Sequence, residues 1–424
     1  MVRPRRSAAR KTIFDPVHGT IALAPGPLEL VGHPAFQRLW GIRQTGFAHL
    51  VFPGANHTRL EHSLGVFWVA QSMAEALGLD PSAAALVAAG GLLHDLGHGP
   101  FSHTLDPSMR EAVGYGHEHI SREWILGTKQ PVPDEGDRTR SIPEILEGLG
   151  IRPAEVASLI DPLPRSRERP LLRAMLHGAI DADRIDYLQR DAHYTGVAYG
   201  AIDAGRLLAT VRASRGHLAF VEKGRSALEG FLVGRALMYS SVYYHKTVRA
   251  AEVMAQSAVE RLPGYPASAT PLFDLTDGEL VYRLLHRGDR ASGVVQGLLS
   301  RRLFKRAFGV RRVPASERKN WLRIAHRPSD RRQLEDELAA RVPAPPGSVL
   351  LDLSGLEQRE PGEEDWSEVT VLEGAQETHP FRAPSLWRSL ALRPPTLTPV
   401  GVYVDPRLRS VPDGRWARWI GSAV

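Results

Sequence analysis

The sequence predicts a mainly α protein, a helical N-terminal body followed by a smaller α+β C-terminal lobe. Three patterns predict it. Between His57 and Leu79 apolar residues recur at helical spacing: Leu60, Leu64, Phe67, Trp68, Met73 and Leu77. An Ala-rich apolar run, Ala83 to Leu93, follows, and further helical patterns cover Leu171 to Tyr194 and Leu228 to Leu262. β-like runs are short and come late, at Val349–Leu353, Val369–Leu372 and Val400–Val404, between Pro, Gly and acidic stretches.

Taken in order, the chain opens on Arg3, Arg5, Arg6, Arg10 and Lys11, which make residues 1–11 a flexible basic arm. Residues Thr12 to Ala24 alternate around a Pro and a Gly and read as a short strand and turn. Pro34 opens a helix over Ala35–Ile42, and the 57–79 helix stops at Gly78. Residues 127–143 are polar with several prolines and read as a mobile loop. Residues 12–262 form the main body, and Pro263 to Thr270 breaks the helical pattern. Phe273 to Phe308 is helical again, within a mixed lobe over 263–424 that is structural or oligomer-forming. No segment repeats.

With 424 residues there is material for two or three compact units and ample core. The chain has no cysteine, which excludes disulfides and thiolate metal sites and leaves His, Asp and Glu to hold any metal. That composition suits a reducing, cytoplasmic setting. The basic arm lacks the apolar run of a signal peptide, and Ala83–Leu93 is too short to span a bilayer, so no membrane association is expected. A net charge of +6 suits nucleic acid and polyphosphate substrates equally.

The Ala83–Leu93 helix runs into His94-Asp95-Leu96-Gly97-His98-Gly99-Pro100-Phe101-Ser102-His103. A single histidine there would suit the negative end of a helix dipole. Three histidines and an aspartate in ten residues point instead to groups compensated by a cation. Ten of the seventeen histidines fall within the first 120 residues, beside these candidates. His62, on the preceding helix, and Asp183, in the acidic run Asp181-Ala182-Asp183-Arg184-Ile185-Asp186-Tyr187, complete a set with His94 and Asp95. Two imidazoles and two carboxylates suit Fe, Mn, Ni or Co, with Zn also open. Such a cation lowers the pKa of water it holds.

The pattern His62…His94-Asp95…Asp183 resembles the HD-domain metallophosphohydrolases. The surrounding segments are similar to one branch, the deoxynucleoside triphosphate (dNTP) triphosphohydrolases. They are Asp15-Pro16-Val17-His18-Gly19, Phe36-Gln37-Arg38-Leu39, Arg43-Gln44-Thr45-Gly46, Val51-Phe52-Pro53-Gly54-Ala55, Arg59 to Gly65, His94 to His103, Asp183 to Asp191 and Tyr243-Tyr244-His245-Lys246. The resemblance implies a helical HD core that cleaves a dNTP at the α-phosphorus, releasing deoxynucleoside and inorganic triphosphate. It implies one transition metal on His62, His94, Asp95 and Asp183, Mg²⁺ on the triphosphate, and a homo-oligomer, dimer or tetramer. His98 and His103 would face the phosphates, with His103 as general acid supported by Asp106 and His117; the bland alternative is that Asp106 and His117 only cap or link helices.

By the same resemblance Arg59, Arg184 and Arg235 bind the triphosphate, although singly each reads as a solvated surface residue. Gln44, Tyr187, Asp191 and Tyr243 surround sugar and base, Tyr187 crowding the 2′ position. Tyr239 departs from the pattern, which has histidine there. Lys11, Gln37 and Arg38 match a nucleotide-binding regulatory segment, but Gly32 and Trp40 replace its acidic and arginine residues, so weak or absent GTP-selective activation is expected. Two other readings stay open: an HD phosphohydrolase acting on another phosphoester, such as a nucleoside monophosphate or cyclic nucleotide, and a nucleic-acid-binding protein using the basic arm.

Overall fold

The computed structural model describes residues 11–129, 139–161, 169–310, 313–357, 369–374, 376–379 and 398–421. The basic arm before Lys11 and the centre of the expected 127–143 loop lie outside them. Among the described residues helices dominate, with three small sheets. The chain begins as a hairpin, Lys11–Asp15 against Gly19–Leu23, whose turn is closed by Asp15 accepting the backbone N–H groups of Val17 and His18 at 2.9 and 2.8 Å.

Four helices carry the candidate site: Arg59–Ala76, Pro81–Leu93, His117–Leu126 and Ala182–Thr195. The first is started by a capping box, in which Thr58 and Glu61 satisfy each other's backbone N–H groups. Asp80 caps the second, with Pro81 in its first turn, and Asp181 caps the fourth. Pro81–Leu93 is buried on nearly every side, which explains why it reads as an unbroken apolar run and not as an amphipathic stripe. Arg59–Ala76 crosses Ala182–Thr195 at Gly65, where a Cβ would overlap the Asp186 carboxylate and the Arg190 guanidinium. Glycine there lets the two helices approach closely enough for His62 and Asp183 to meet.

Several expected elements are broken or replaced. Ala35–Ile42 is a short helix, Pro34–Gln37, followed by a 3₁₀ turn, Arg38–Gly41, because Arg38 is drawn onto the backbone carbonyls of Leu96 and His98 at 2.8 and 2.7 Å. The 171–194 pattern divides at Gly178 into Pro170–His177 and Ala182–Thr195. The 228–262 pattern becomes Arg225–Met238, a π-helical turn at Tyr239–Tyr243, and Lys246–Glu260 capped by His245. Ser141 starts a helix, Ile142–Gly148, whose first two residues fall within the expected loop. Phe273–Phe308 holds helices Asp277–Leu285 and Arg290–Leu299 but ends in a strand, Lys305–Val310, which pairs antiparallel with Val400–Val404. That pairing is long-range and leaves no local signature.

The late β-runs form strands Val349–Asp352, Thr370–Glu373 and Val400–Val404. Thr370–Glu373 lies parallel to His217–Val221, tying the last third of the chain to the middle. One apolar core runs from Ile21 through Leu303 and takes in Leu350 and Tyr403; a second lies between Trp321 and Ile420. Among the described residues no helix is long and apolar enough to cross a membrane.

Candidate metal centre and catalytic cavity

His62 and His94 stand in a T-shaped arrangement, ring centroids 5.3 Å apart. His62, His94 and Asp183 each offer a ligating atom within 4.8 Å of the others. Asp95 joins them, with Oδ1 3.1 Å from His94 Nε2 and Oδ2 3.8 Å from His62 Nε2. The fold therefore brings together all four residues proposed as ligands.

Hydrogen bonding sets the tautomers of both rings. His94 Nδ1 can only donate to the Gly91 carbonyl, 2.9 Å away, so its Nε2 presents a lone pair. That Nε2 is buried and has no hydrogen-bond partner. His62 Nδ1 donates to Asp186 Oδ2 at 2.7 Å, turning Nε2 toward Asp183 Oδ1 at 3.0 Å. Burial alone would depress His62, but its bonds to Asp183 and Asp186 raise it to about 10. An imidazole nitrogen without a hydrogen-bond partner and two convergent carboxylates fit a divalent cation with N/O preference. Stripping divalent metal with a chelator is expected to lower the unfolding temperature, and restoring it to reverse the change. A metal held at about 100 times its Kd adds about 2.7 kcal/mol, which differential scanning calorimetry resolves.

The His94–His98 segment is held from behind. Ser121 Oγ donates to the His94 carbonyl at 2.7 Å and accepts the Gly97 N–H at 2.8 Å, and a Cβ at Gly97 would run into the His117–Leu126 backbone. This contact sets His117 flat on His98, ring centroids 3.7 Å apart. Phe101 and Ser102 both adopt positive φ, 53° and 47°, a strained pair that turns the chain back toward His98. Asp277 secures the turn by accepting the Phe101 and Arg43 N–H groups at 2.7 and 3.1 Å. His103 then lies 5.0 Å from the His98 ring, and Asp106 Oδ2 is 3.2 Å from Nδ1 of both His103 and His117.

Charges differ sharply within this cluster. Burial, with Arg59 and His117 nearby, holds His98 well below the usual imidazole range. Burial opposes ionisation of Asp106, yet His117 and the hydrogen bonds from His103 and His117 hold it well below the carboxylate range. Burial likewise opposes protonation of His117, and Asp106 raises it. These shifts favour a neutral His98 stacked on a protonated His117 that is paired with an ionised Asp106.

Both groups open into one cavity of about 490 Å³. Its wall includes His94, Asp95, Asp183, His98, His103 and His117, and also Gln44, Tyr187, Asp191 and Tyr243. Asp191 is fixed by His57 Nε2 at 2.7 Å and the Tyr243 hydroxyl at 2.5 Å; Gln44 Oε1 is buried without a partner. Arg59 also lines the cavity, bonding Asp95 and, at 2.6 Å, Ser102, while its Nη2 has no hydrogen-bond partner.

Arg184 and Arg235 do not line this cavity. Arg184 is folded back onto the Gly178 carbonyl and Asp181, and Arg235 lies 4.8 Å over the Tyr239 ring. Gln37 donates to the Val31 carbonyl, and Trp40 is exposed. Sequence reasoning missed Asp186, His57, Asp277 and His177, a cavity residue that burial and His94 lower to about 4. Asp186 had a signal in its acidic run, one helical turn beyond Asp183; Asp277 had none.

A helical scaffold here converges histidines and aspartates from separate helices into a group that could hold a metal ion, beside an imidazole–carboxylate cluster. The HD-domain profile matches residues 59–191, which hold the four candidate ligands, and the HD-associated-region profile matches residues 202–407. The chain carries an HD domain followed by an HD-associated region. It is 38% identical over 253 residues to an uncharacterized protein of Methanocaldococcus jannaschii, 59% of this chain and 49% of that one. It is 28% identical over 346 residues to the deoxynucleoside triphosphate triphosphohydrolase SAMHD1 of Danio rerio, 70% of this chain and 55% of that one. A solved structure, a phosphohydrolase from Bacteroides thetaiotaomicron, is similar with a TM-score of 0.70 and 25% identity, over 94% of this chain and 100% of that one. The chain spans about half the length of these curated relatives.

Proposed function

We propose that this phosphohydrolase cleaves deoxynucleoside triphosphates at the α-phosphorus, releasing a deoxynucleoside and inorganic triphosphate. The observation that carries the reading is one shared cavity, lined by His94, Asp95 and Asp183, by His98, His103 and His117, and by Gln44, Tyr187, Asp191 and Tyr243, with His62 and Asp106 directly behind. His62, His94, Asp95 and Asp183 would hold a transition metal, which supplies Lewis acidity and a lowered water pKa when bound. Water attacks the α-phosphorus and releases a proton to solvent, and the bond from phosphorus to the sugar oxygen breaks. His103 donates the proton that oxygen needs, with Asp106 orienting its ring and solvent reprotonating it afterwards. Arg59 Nη2 faces the phosphates, and Mg²⁺ accompanies the triphosphate. Asp191, held by His57 and Tyr243, receives the sugar hydroxyl, and Tyr187 packs against the sugar's 2′ edge. The relative named for dNTP hydrolysis supports this reading.

Phosphorus NMR of metal-loaded protein incubated with each dNTP tests it, with Asp95→Ala as control. Inorganic triphosphate in the wild-type sample alone supports the proposal; orthophosphate or pyrophosphate as first product overturns it. A smaller phosphoester is the second reading, favoured by the placement of Arg184 and Arg235 off the cavity wall. The two readings diverge on those arginines. If they swing onto a triphosphate, Arg184→Ala and Arg235→Ala each lower kcat/KM about 10- to 100-fold, the worth of a charge-assisted hydrogen bond. Steady-state kinetics on dNTP measure it.

A further inference from the structure

We propose that Glu252, Gln256 and Glu260 are positioning residues that set the His103–Asp106 segment, and that the C-terminal lobe over 263–424 is the support that holds them in place. The three lie four residues apart on the Lys246–Glu260 helix and so share one face. Each meets the relay segment in turn. Glu252 accepts the Thr104 hydroxyl at 3.2 Å, Gln256 donates to the Thr104 carbonyl at 2.7 Å, and Glu260 accepts the Ser108 hydroxyl at 2.7 Å. Thr104 follows His103 directly, and Ser108 lies in the first turn of the helix that Asp106 opens.

Gln256 and Glu260 are buried. A row of buried polar groups is a costly way to make an ordinary helix contact, which apolar side chains make more cheaply. What such a row adds is direction: each bond has one donor and one acceptor and fixes the segment's position along the helix.

The same face of this helix is also tied to the C-terminal lobe. Arg249 bonds Glu252 and reaches Asp352, at the end of the Val349–Asp352 strand, through two bonds of 3.0 and 2.8 Å. Arg331 pairs with Glu260, and its neighbour Arg332 lies 3.5 Å from Glu260 and 3.6 Å from Glu111 on the relay helix. Two ionic paths therefore run from the lobe through the Lys246–Glu260 helix to the residues flanking His103 and Asp106. This gives a catalytic reason for the lobe's attachment to the HD domain.

The test uses the full-length, metal-loaded protein and two variants, Gln256→Met, which keeps length and loses the donor, and Asp352→Asn, which acts from the lobe. Hydrogen-exchange mass spectrometry needs no substrate. Exchange is expected to quicken in peptides covering 103–110 and to stay at wild-type rates over 59–66 and 90–97, with metal content unchanged. Kinetics, which rest on the proposed reaction, should show kcat down roughly 10- to 100-fold with KM nearly constant, the effect of a small displacement of a reacting group. Exchange that quickens equally across all three regions would mark a merely structural role and overturn the proposal. Wild-type exchange over 103–110 in both variants would also overturn it, and a change in Gln256→Met alone would overturn the lobe's part. Absence of dNTP turnover in the wild type, with the exchange pattern as expected, would sink the substrate reading and leave the positioning role supported.

Discussion

Asp186→Asn is expected to weaken transition-metal binding by about 10- to 100-fold without removing any proposed ligand, the usual cost of losing the group that orients a ligating histidine. Asp186 is fully buried and serves four donors. Oδ1 accepts His18 Nε2 at 2.6 Å and Arg190 Nη2 at 2.9 Å, and Oδ2 accepts His62 Nδ1 at 2.7 Å and Arg190 Nε at 2.9 Å. Burial opposes its ionisation, but Arg190 and the two histidines hold it well below the usual carboxylate range. An asparagine has one acceptor oxygen, and its amide would face donors on the other side. His62 then loses the bond that turns Nε2 toward Asp183. Arg190 keeps Asp15, 2.7 Å away, so the loss in stability should be about 3 kcal/mol, the lower end for breaking a buried ion pair. The sign with pH follows: a carboxylate depressed on folding stabilises above its unfolded pKa, and that contribution disappears as pH falls through the folded value. Wild type should therefore lose its margin over the variant in acid. Metal content after dialysis and thermal unfolding at several pH values measure both effects; wild-type metal affinity in Asp186→Asn would show that His62 needs no orienting partner.

The residues whose chemistry contradicts their surroundings were legible from sequence. His94 and Asp95 at the end of an apolar helix, and Asp183 in a run too acidic for plain core, announce themselves because burying them uncompensated is so unfavourable. The structure brings these together with His62, and the family match extends over the same segment. What stayed hidden depends on distance in the chain. Asp277 reaches the Phe101 turn from 176 residues away, and nothing near it in sequence distinguishes it from a helix-terminal aspartate. Lys305–Val310 reads as a continuation of helix until Val400–Val404 pairs with it. Arg184 and Arg235 show the opposite limit. Their place in the pattern implies phosphate contact, but rotamer and local partner decide where a long side chain points, and here Gly178, Asp181 and Tyr239 draw them elsewhere.

Asp106→Asn is expected to lower kcat by about 100- to 10,000-fold, the range for disabling general acid catalysis, with metal content unchanged. Its carboxylate lies 3.2 Å from both His103 and His117, so one substitution removes the charge that orients the acid and the charge that keeps His117 protonated. Burial pushes His117 down and Asp106 pushes it up, with the net shift upward from the ordinary imidazole value. A histidine raised on folding contributes stability fully below its unfolded pKa and loses it as pH rises through the folded value. If the cationic His117 is needed to present His103, wild-type activity persists above the usual imidazole range and falls only beyond it. In Asp106→Asn the upward push is gone while burial remains, so the alkaline limb of the kcat profile should move to lower pH. His98, stacked 3.7 Å from His117, would then face a neutral ring, and the repulsion that helps hold it below the imidazole range would ease. A rate loss with the alkaline limb unmoved would mean that Asp106 serves as a helix-starting residue and that His103 acts without it.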